Sequence, residues 1–494
     1  MINRKKALAV LAVTIACGMA VSCSKVGNKS SGEPTEITWY MMKSNSNMSS
    51  QEEVEKAVNK SLIDRHNLKL KLKLVDSGSW KEKINVVISS GEEYDVCFTS
   101  SWTNSFTENL RRNAFADISK YLDEYGSDIR KKVDSRAWEA VTVDGKIYGI
   151  PSQTPYIRQN SFVFKKDLVD KYNFDYKSVK CLKDLEPYLE ILKKNEPDII
   201  PLAISASMDL TEPYEGYTSV LDCNFMKYSE AEDRLVENFD LRLDEYRTRY
   251  EYYKKGYIAK DAFTRKDKNE GKTGKYAVMS DSGAYTEDAS KSSAYYGFPC
   301  YETLVYQQSN IDDGAFIAMA NAVSITSKHP DKAVQLLNEV WKDPEISNTL
   351  AYGIEGIDYK VVSGKGTPEM SIEPKEGAQA TWGIAHNIIG PLWDQWDSSW
   401  NRLDALNAMR KLNEETPVSG SLGFKFDPTP VKSEIAAINE VTTGTNLVFK
   451  TGSMEDFDSY VKEYRAKRDS AGFRKVVAEA NRQFEEWKKT RGKK

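Results

Sequence analysis

Strict alternation of apolar and polar residues in LKLKLKLV (68–75) is the period of a strand with one buried face. Just upstream, in SQEEVEKAVNKSLIDRH (50–66), the spacing changes. Val54, Val58 and Leu62 recur every four residues, acids fill the first turn, and Ser50 stands in the capping position. That pattern predicts an amphipathic helix. EITWYMM (36–42) before it reads as a strand. KEKINVVISSG after it reads as a helix ending at Gly91, and YDVCFTS as a short buried strand. Strand, helix, strand, helix, strand implies a mainly parallel sheet with helices packed on it.

Further on, VDGKIYGIPSQ (143–153) predicts a tight turn at Asp144-Gly145 and a strand running into Pro151. A second α/β block extends to about residue 310. Its clearest helical part is SEAEDRLVENFDLRLDEYRTRYEYYKKG, ending at Gly256. YAVMSDSGAY (276–285) is a strand entering a small-residue turn, and GAFIAMANAVSIT reads as a strand pair. PDKAVQLLNEVWKDPE is a helix with Ala333, Leu336, Leu337 and Val340 on one face. Phe473, Val476, Val477, Ala480, Phe484 and Trp487 form a stripe at helical spacing that packs on the body.

TWGIAHNIIGPLWDQWDSSWN (381–401) holds four of the ten tryptophans, so it decides whether such rings are core or ligand surface. Gly390-Pro391 predicts a helix start, Pro being favoured in the first turn. Trp396 and Trp400 then share a core face with Leu392, Leu403 and Leu406. Trp393, at the edge of that stripe, and Trp382, in a loop beside Gly383, are left as ligand candidates.

The N-terminus differs from the rest. Arg4, Lys5 and Lys6 precede an apolar stretch from Ala7 to Val21, too short for a membrane span and shaped as a signal peptide. It closes on AVSCS, so residues 1–22 read as a lipoprotein signal and Cys23 as the lipidated N-terminus. Residues 23–35, rich in Ser, Gly and Lys, read as a flexible tether. An ordinary secretory signal is the competing reading. The balance of 69 basic against 73 acidic residues leaves no basic footprint for nucleic acid. Cys97, Cys181, Cys223 and Cys300 are far apart with no CxxC spacing; disulfides and isolated buried thiols both fit an exported chain. The three histidines are scattered singly, so no metal and no cofactor is expected.

Catalytic templates fail. EGKTGKYA has Lys266 where a phosphate loop needs its first glycine, and HExxH and GxSxG are absent. A pair of carboxylates suffices for a glycosidase, which keeps an exported glycoside hydrolase as an alternative. Aromatics instead gather at strand ends and turns. Trp39 and Tyr40 end the first strand, Trp102 follows CFTSS, Tyr156 follows Pro151, and Tyr285 closes MSDSGAY. Open α/β sheets bind ligands at the carboxyl ends of strands. Aromatic planes take the C–H face of a sugar, and Asn104, Arg158 and Asp281 lie close enough in sequence to take its hydroxyl rim.

WKEKINVVISSGEEYDV, VTVDGKIYGIP, YAVMSDSGAY and AVSITSKHPDKAVQLLNEVWKDPE together resemble bacterial extracellular solute-binding proteins of the sugar-importing type. YGIEGIDY and LGFKFDPTPVKSEIAAINEV resemble the LplA-like branch, which carries a C-terminal domain of unknown function. The resemblance implies an α/β, two-lobed, periplasmic-binding-protein-like fold of type II with a hinge and a C-terminal helical extension. It divides the chain into an N-terminal lobe (36–152 plus 318–365), a C-terminal lobe (153–317 plus 366–420) and a helical region (421–494). It implies a monomer, not an enzyme, that binds carbohydrate, often an oligosaccharide, and hands it to the permease of an ABC importer from the outer face of the cell membrane. Tyr156, Tyr285 and Trp382 would stack on sugar rings. A sensor lipoprotein reporting to a membrane kinase is a further alternative.

Overall fold

A computed structural model describes residues 32–43, 50–210, 214–267, 269–283, 285–375, 382–398 and 402–491. The signal segment, Cys23, most of the tether and Trp400 lie outside the described residues.

The alternation at 68–75 becomes strand Leu68–Asp76, with Leu68, Leu70 and Leu72 buried. It lies parallel to Thr35–Lys43, which lies parallel to Val96–Thr99. Two late arrivals complete this sheet, Ala320–Val323 and Ile150–Pro151, both antiparallel to their neighbours. Helices Gln51–His66, Trp80–Ser90 and Pro330–Lys342 bury their apolar stripes in the same core. Gly91 ends the second of these in the left-handed region, at φ 70°. Ser50 stands at the N-cap of the first helix, but its side chain makes no capping bond. Its hydroxyl donates to both carboxylate oxygens of Asp358, at 2.9 and 2.8 Å.

The second lobe is built on Cys300–Gln307, Gln159–Lys165, Tyr276–Ser282 and Ile200–Leu202, in that spatial order, with its own core. A third, antiparallel sheet contains Tyr217–Ser219, Met226–Ser229 and Arg234–Glu237. This sheet corrects the helical reading of SEAEDRLVE, which is a turn and a strand. Helix begins beyond it, and Leu243–Lys255 ends at Gly256 as expected. GAFIAMANAV yields one strand rather than two, because Asp312 caps a short helical turn, Asp313–Phe316.

The predicted helix after Pro391 is also corrected. Residues Leu392–Asp394 make one 3₁₀ turn, Asp397–Ser398 pair in a small sheet, and helix starts only at Leu403, running to Glu415. Met370, Ile372, Trp382, Ile384 and Trp396 belong to the first core. Residues 370–372 and 382–396 therefore pack on the N-terminal lobe instead of the C-terminal one. The indole of Trp382 donates to the Leu350 carbonyl at 2.9 Å, and Trp396 stacks on Tyr352. Cys97, Cys181, Cys223 and Cys300 are free thiols.

Two segments cross between the lobes, 152–158 and 308–319, and a third, 416–422, runs beside them. The crossings are tied by backbone bonds. Gln308 N–H donates to Arg158 O (2.9 Å), Ile311 N–H to Pro417 O (2.9 Å) and Ser419 N–H to Ile311 O (2.8 Å). Helices Lys432–Thr451, Phe457–Ser470 and Phe473–Arg491 close the chain and pack on the third sheet and on Leu243–Lys255.

Candidate ligand cleft

The carboxyl end of Val96–Thr99 opens into a tight loop. Ser100 Oγ accepts from Thr103 N–H, and Asn104 adopts a left-handed φ of 44° while its amide donates to Phe98 O at 2.8 Å. The loop is built to present Trp102. That ring is 56% exposed, leans on Phe98, and is fixed by an indole bond to Ala318 O at 2.9 Å. A flat apolar plate held rigidly at a cleft edge suits the C–H face of a sugar.

Behind Trp102 lies a cavity of ≈ 770 Å³, within the range of small-molecule sites. Both crossings contribute to it, through Tyr156, Arg158, Gln308 and Asp312. The third sheet supplies the opposite wall with Tyr217, Ser219 and Lys227, joined by Tyr214 and Arg242. Tyr156 is packed edge-on against Phe316 at 4.8 Å, and burial raises its pKa, so its hydroxyl remains a neutral hydrogen-bonding group. Arg158 is exposed toward the cavity while its backbone is held by Gln308. Burial lowers the Lys227 pKa; Asp312 opposes that shift, and Arg158 and Arg242 add to it. Its ammonium donates to Ser219 Oγ at 2.9 Å. The two carboxylates in the wall are both engaged. Asp222 takes Thr107 and Arg111, each at 2.9 Å, and Asp312 takes the N–H groups of Ser219 and Ala315.

Two smaller cavities adjoin the first through shared residues. Tyr156 also lines one of ≈ 570 Å³ with Trp393, Arg136 and Asn413. Ser282 also lines one of ≈ 370 Å³ with Asp281, Tyr295 and Tyr296. Asp281 is paired there with Lys291 at 2.6 Å.

The ten candidate residues thus separate. Trp102, Tyr156 and Arg158 meet in the main cavity, while Trp393 and Asp281 line its neighbours. Trp39, Tyr40, Asn104 and Trp382 are corrected to structural roles. Trp39 is fully buried and bonds Asn321 Oδ1 at 3.0 Å, and Tyr40 bonds Glu92 at 2.8 Å. Asn104 braces its own loop, and Trp382 is 3% exposed. Tyr285 is half-buried, its N–H held by Gln159, and forms no part of these three walls. Sequence reasoning missed Tyr214, Tyr217, Lys227 and Arg242. The one available signal was YEGY (214–217), two tyrosines flanking a turn glycine. Among the described residues no three His, Cys, Asp or Glu side chains converge as a metal site.

Residues 47–340 match the model of the bacterial extracellular solute-binding protein family. The chain belongs to that family. Residues 420–489 of this solute-binding protein match a domain of unknown function, DUF3502. A carbohydrate ABC transporter substrate-binding protein of Streptococcus pneumoniae serotype 4 is 26% identical over 495 residues, covering 97% of each chain. The crystal structure of an N-glycan transport solute binding protein (NgtS) from Streptococcus pneumoniae is 24% identical, with a TM-score of 0.79 over 92% of this chain and 100% of that one. The same protein in complex with Man5GlcNAc gives 0.68 at 24% identity, over 92% of this chain and 99% of that one.

Proposed function

We propose that this solute-binding protein captures an oligosaccharide in the cavity between its lobes and delivers it chemically unchanged to the permease of an ABC importer. The observation that carries the reading is Trp102. A large aromatic ring stands half in solvent on the first lobe, pinned by its own N–H, over a cavity whose far wall is the third sheet. Such a ring gains by covering a sugar face, and Arg158, Tyr217 and Gln308 offer polar groups to the hydroxyls. Neighbouring cavities sharing Tyr156 and Ser282 give room for more than one ring. The relatives that bind carbohydrate point the same way.

Ligand contacts to both lobes favour the closed state, and the importer distinguishes closed from open. Cys23 carries lipid and the tether holds a monomer at the outer face of the cell membrane, which raises its concentration near the permease. The test is a thermal-shift screen over mono- and oligosaccharides, with chromatography of the recovered sugar. Stabilisation by an oligosaccharide recovered intact is expected; cleavage products would establish the hydrolase instead. Labelled palmitate should be incorporated by the wild type and lost in Cys23→Ala.

A further inference from the structure

The domain at 420–489 has no function attached to it, and its placement supplies one. The third sheet stands between that domain and the cleft. Lys227 points into the cavity, while its strand neighbours Met226 and Tyr228 are buried on the other side. This is the two-residue period of a sheet whose two faces serve two partners. The hidden face meets Phe473, Val476 and Phe484, the Tyr228 and Phe484 rings lying 5.7 Å apart. Edge contacts tie the same surfaces. Arg468 and Arg474 both pair with Glu237, at 2.9 and 3.0 Å.

A second attachment runs through a buried ionic relay. Arg249 is fully buried on helix Leu243–Lys255. Its guanidinium donates to Lys450 O (2.9 Å), in the last turn of Lys432–Thr451, and to the Asp209 carboxylate (2.6 Å). It also pairs with Glu245. Glu245 in turn receives Arg242, at 3.0 and 2.9 Å, and the Tyr214 hydroxyl at 2.8 Å. Arg242 and Tyr214 are cavity wall. Glu245 stays ionised: burial opposes it, but Arg249 and Arg242 together bring its pKa below the ordinary value. Gly452 lets the two helices approach this closely. It sits at φ +70°, and a Cβ there would lie 2.3 Å from Arg249 O.

We propose that the C-terminal domain is a positioning domain for the ligand cleft, backing the Tyr217–Ser219 and Met226–Ser229 strands through Phe484 and setting Arg242 and Tyr214 through the Arg249–Glu245 relay. The importance of that wall rests on the ligand reading above, but the mechanical claim does not. Removing one partner from a buried ion pair leaves the other charge uncompensated, so the relay ties the placement of Arg242 and Tyr214 to Arg249.

The experiment is hydrogen exchange on the full chain without any sugar, comparing wild type with Phe484→Ala, Phe484→Leu, Val476→Ala and Gly452→Ala. Exchange at 217–219 and 226–229 should accelerate about tenfold or more in Phe484→Ala and less in Val476→Ala. It should return close to wild type in Phe484→Leu, which keeps most of the side chain. Gly452→Ala should accelerate exchange in Leu243–Lys255. Strands Thr35–Lys43 and Val96–Thr99 should not change in any variant. An unchanged third sheet, or an equal acceleration of both lobes, overturns the proposal. A failed carbohydrate screen bears on the ligand reading alone, because no sugar enters this comparison.

Discussion

Asn413 holds the first crossing from two sides: its Oδ1 accepts from the N–H of Tyr156 and its Nδ2 donates to the carbonyl of Thr154, both at 2.8 Å. One side chain from helix Leu403–Glu415 thereby completes two backbone groups that no sheet reaches. Asn413→Ala leaves them unpaired, at a cost of about 1–3 kcal/mol for each buried group. The urea midpoint should fall accordingly. An unchanged midpoint for the alanine variant would remove Asn413 from the hinge.

The tryptophans divide into two classes with opposite signatures. Trp102→Ala removes a ring that is 56% exposed, so stability should change by less than about 1 kcal/mol. Oligosaccharide binding should weaken at least about tenfold, equivalent to about 1.4 kcal/mol. Trp39→Ala and Trp382→Ala, at 0% and 3% exposure, should each cost about 3–5 kcal/mol of folding stability. Melting curves and calorimetric titrations on the three variants separate the classes. A Trp102→Ala variant that melts like the core variants would contradict the assignment.

Asp313 makes stability depend on pH. It is buried in the second crossing, where both its oxygens accept from Gly423 N–H at 3.1 and 3.0 Å. Burial is the chief cause that pushes its pKa from 3.8 up to about 7, with Asp312 and Glu139 adding to it and Lys425 and the Gly423 bond opposing. Between those values the folded chain holds a proton that the unfolded chain has released. The contribution is therefore fully present below pH 3.8 and is lost as pH rises toward 7. Asp313→Asn carries no such loss. The difference in melting temperature, variant minus wild type, should grow from pH 4 to pH 7; a flat difference would show that Asp313 titrates normally.

Periodicity made most of the scaffold legible. The 3.6 and 2.0 repeats of the first hundred residues report burial against a single core, and the Phe473–Trp487 stripe reports a single docking face. Legibility failed where tertiary context chose between equal local options. Pro391 is compatible with a helix start, but Trp396 is held against Tyr352 and Tyr359, and the chain turns away instead. Arg234–Glu237 carries charges suited to a helix surface, yet pairs as a strand because Leu235 is buried with Met226 and Tyr228 against Phe473, Val476 and Phe484. The site was half legible for a related reason. An aromatic at a strand end is a ligand plate or a core plug depending on which way the chain faces, and Trp39 and Trp102 read alike until the sheet is assembled. The far wall came from Tyr214 to Arg242, where the one local signal, two tyrosines flanking Gly216, does not distinguish a cleft from an ordinary turn.

A carbohydrate held between the lobes should rest against Trp102. The most direct measurement is calorimetric titration, into wild type and Trp102→Ala, of the oligosaccharide that stabilises the wild type most in the thermal-shift screen. Saturable one-to-one binding by the wild type is expected, weakened about tenfold or more by the substitution. Equal affinity in the two proteins, or no binding of any oligosaccharide in the screen, would contradict it.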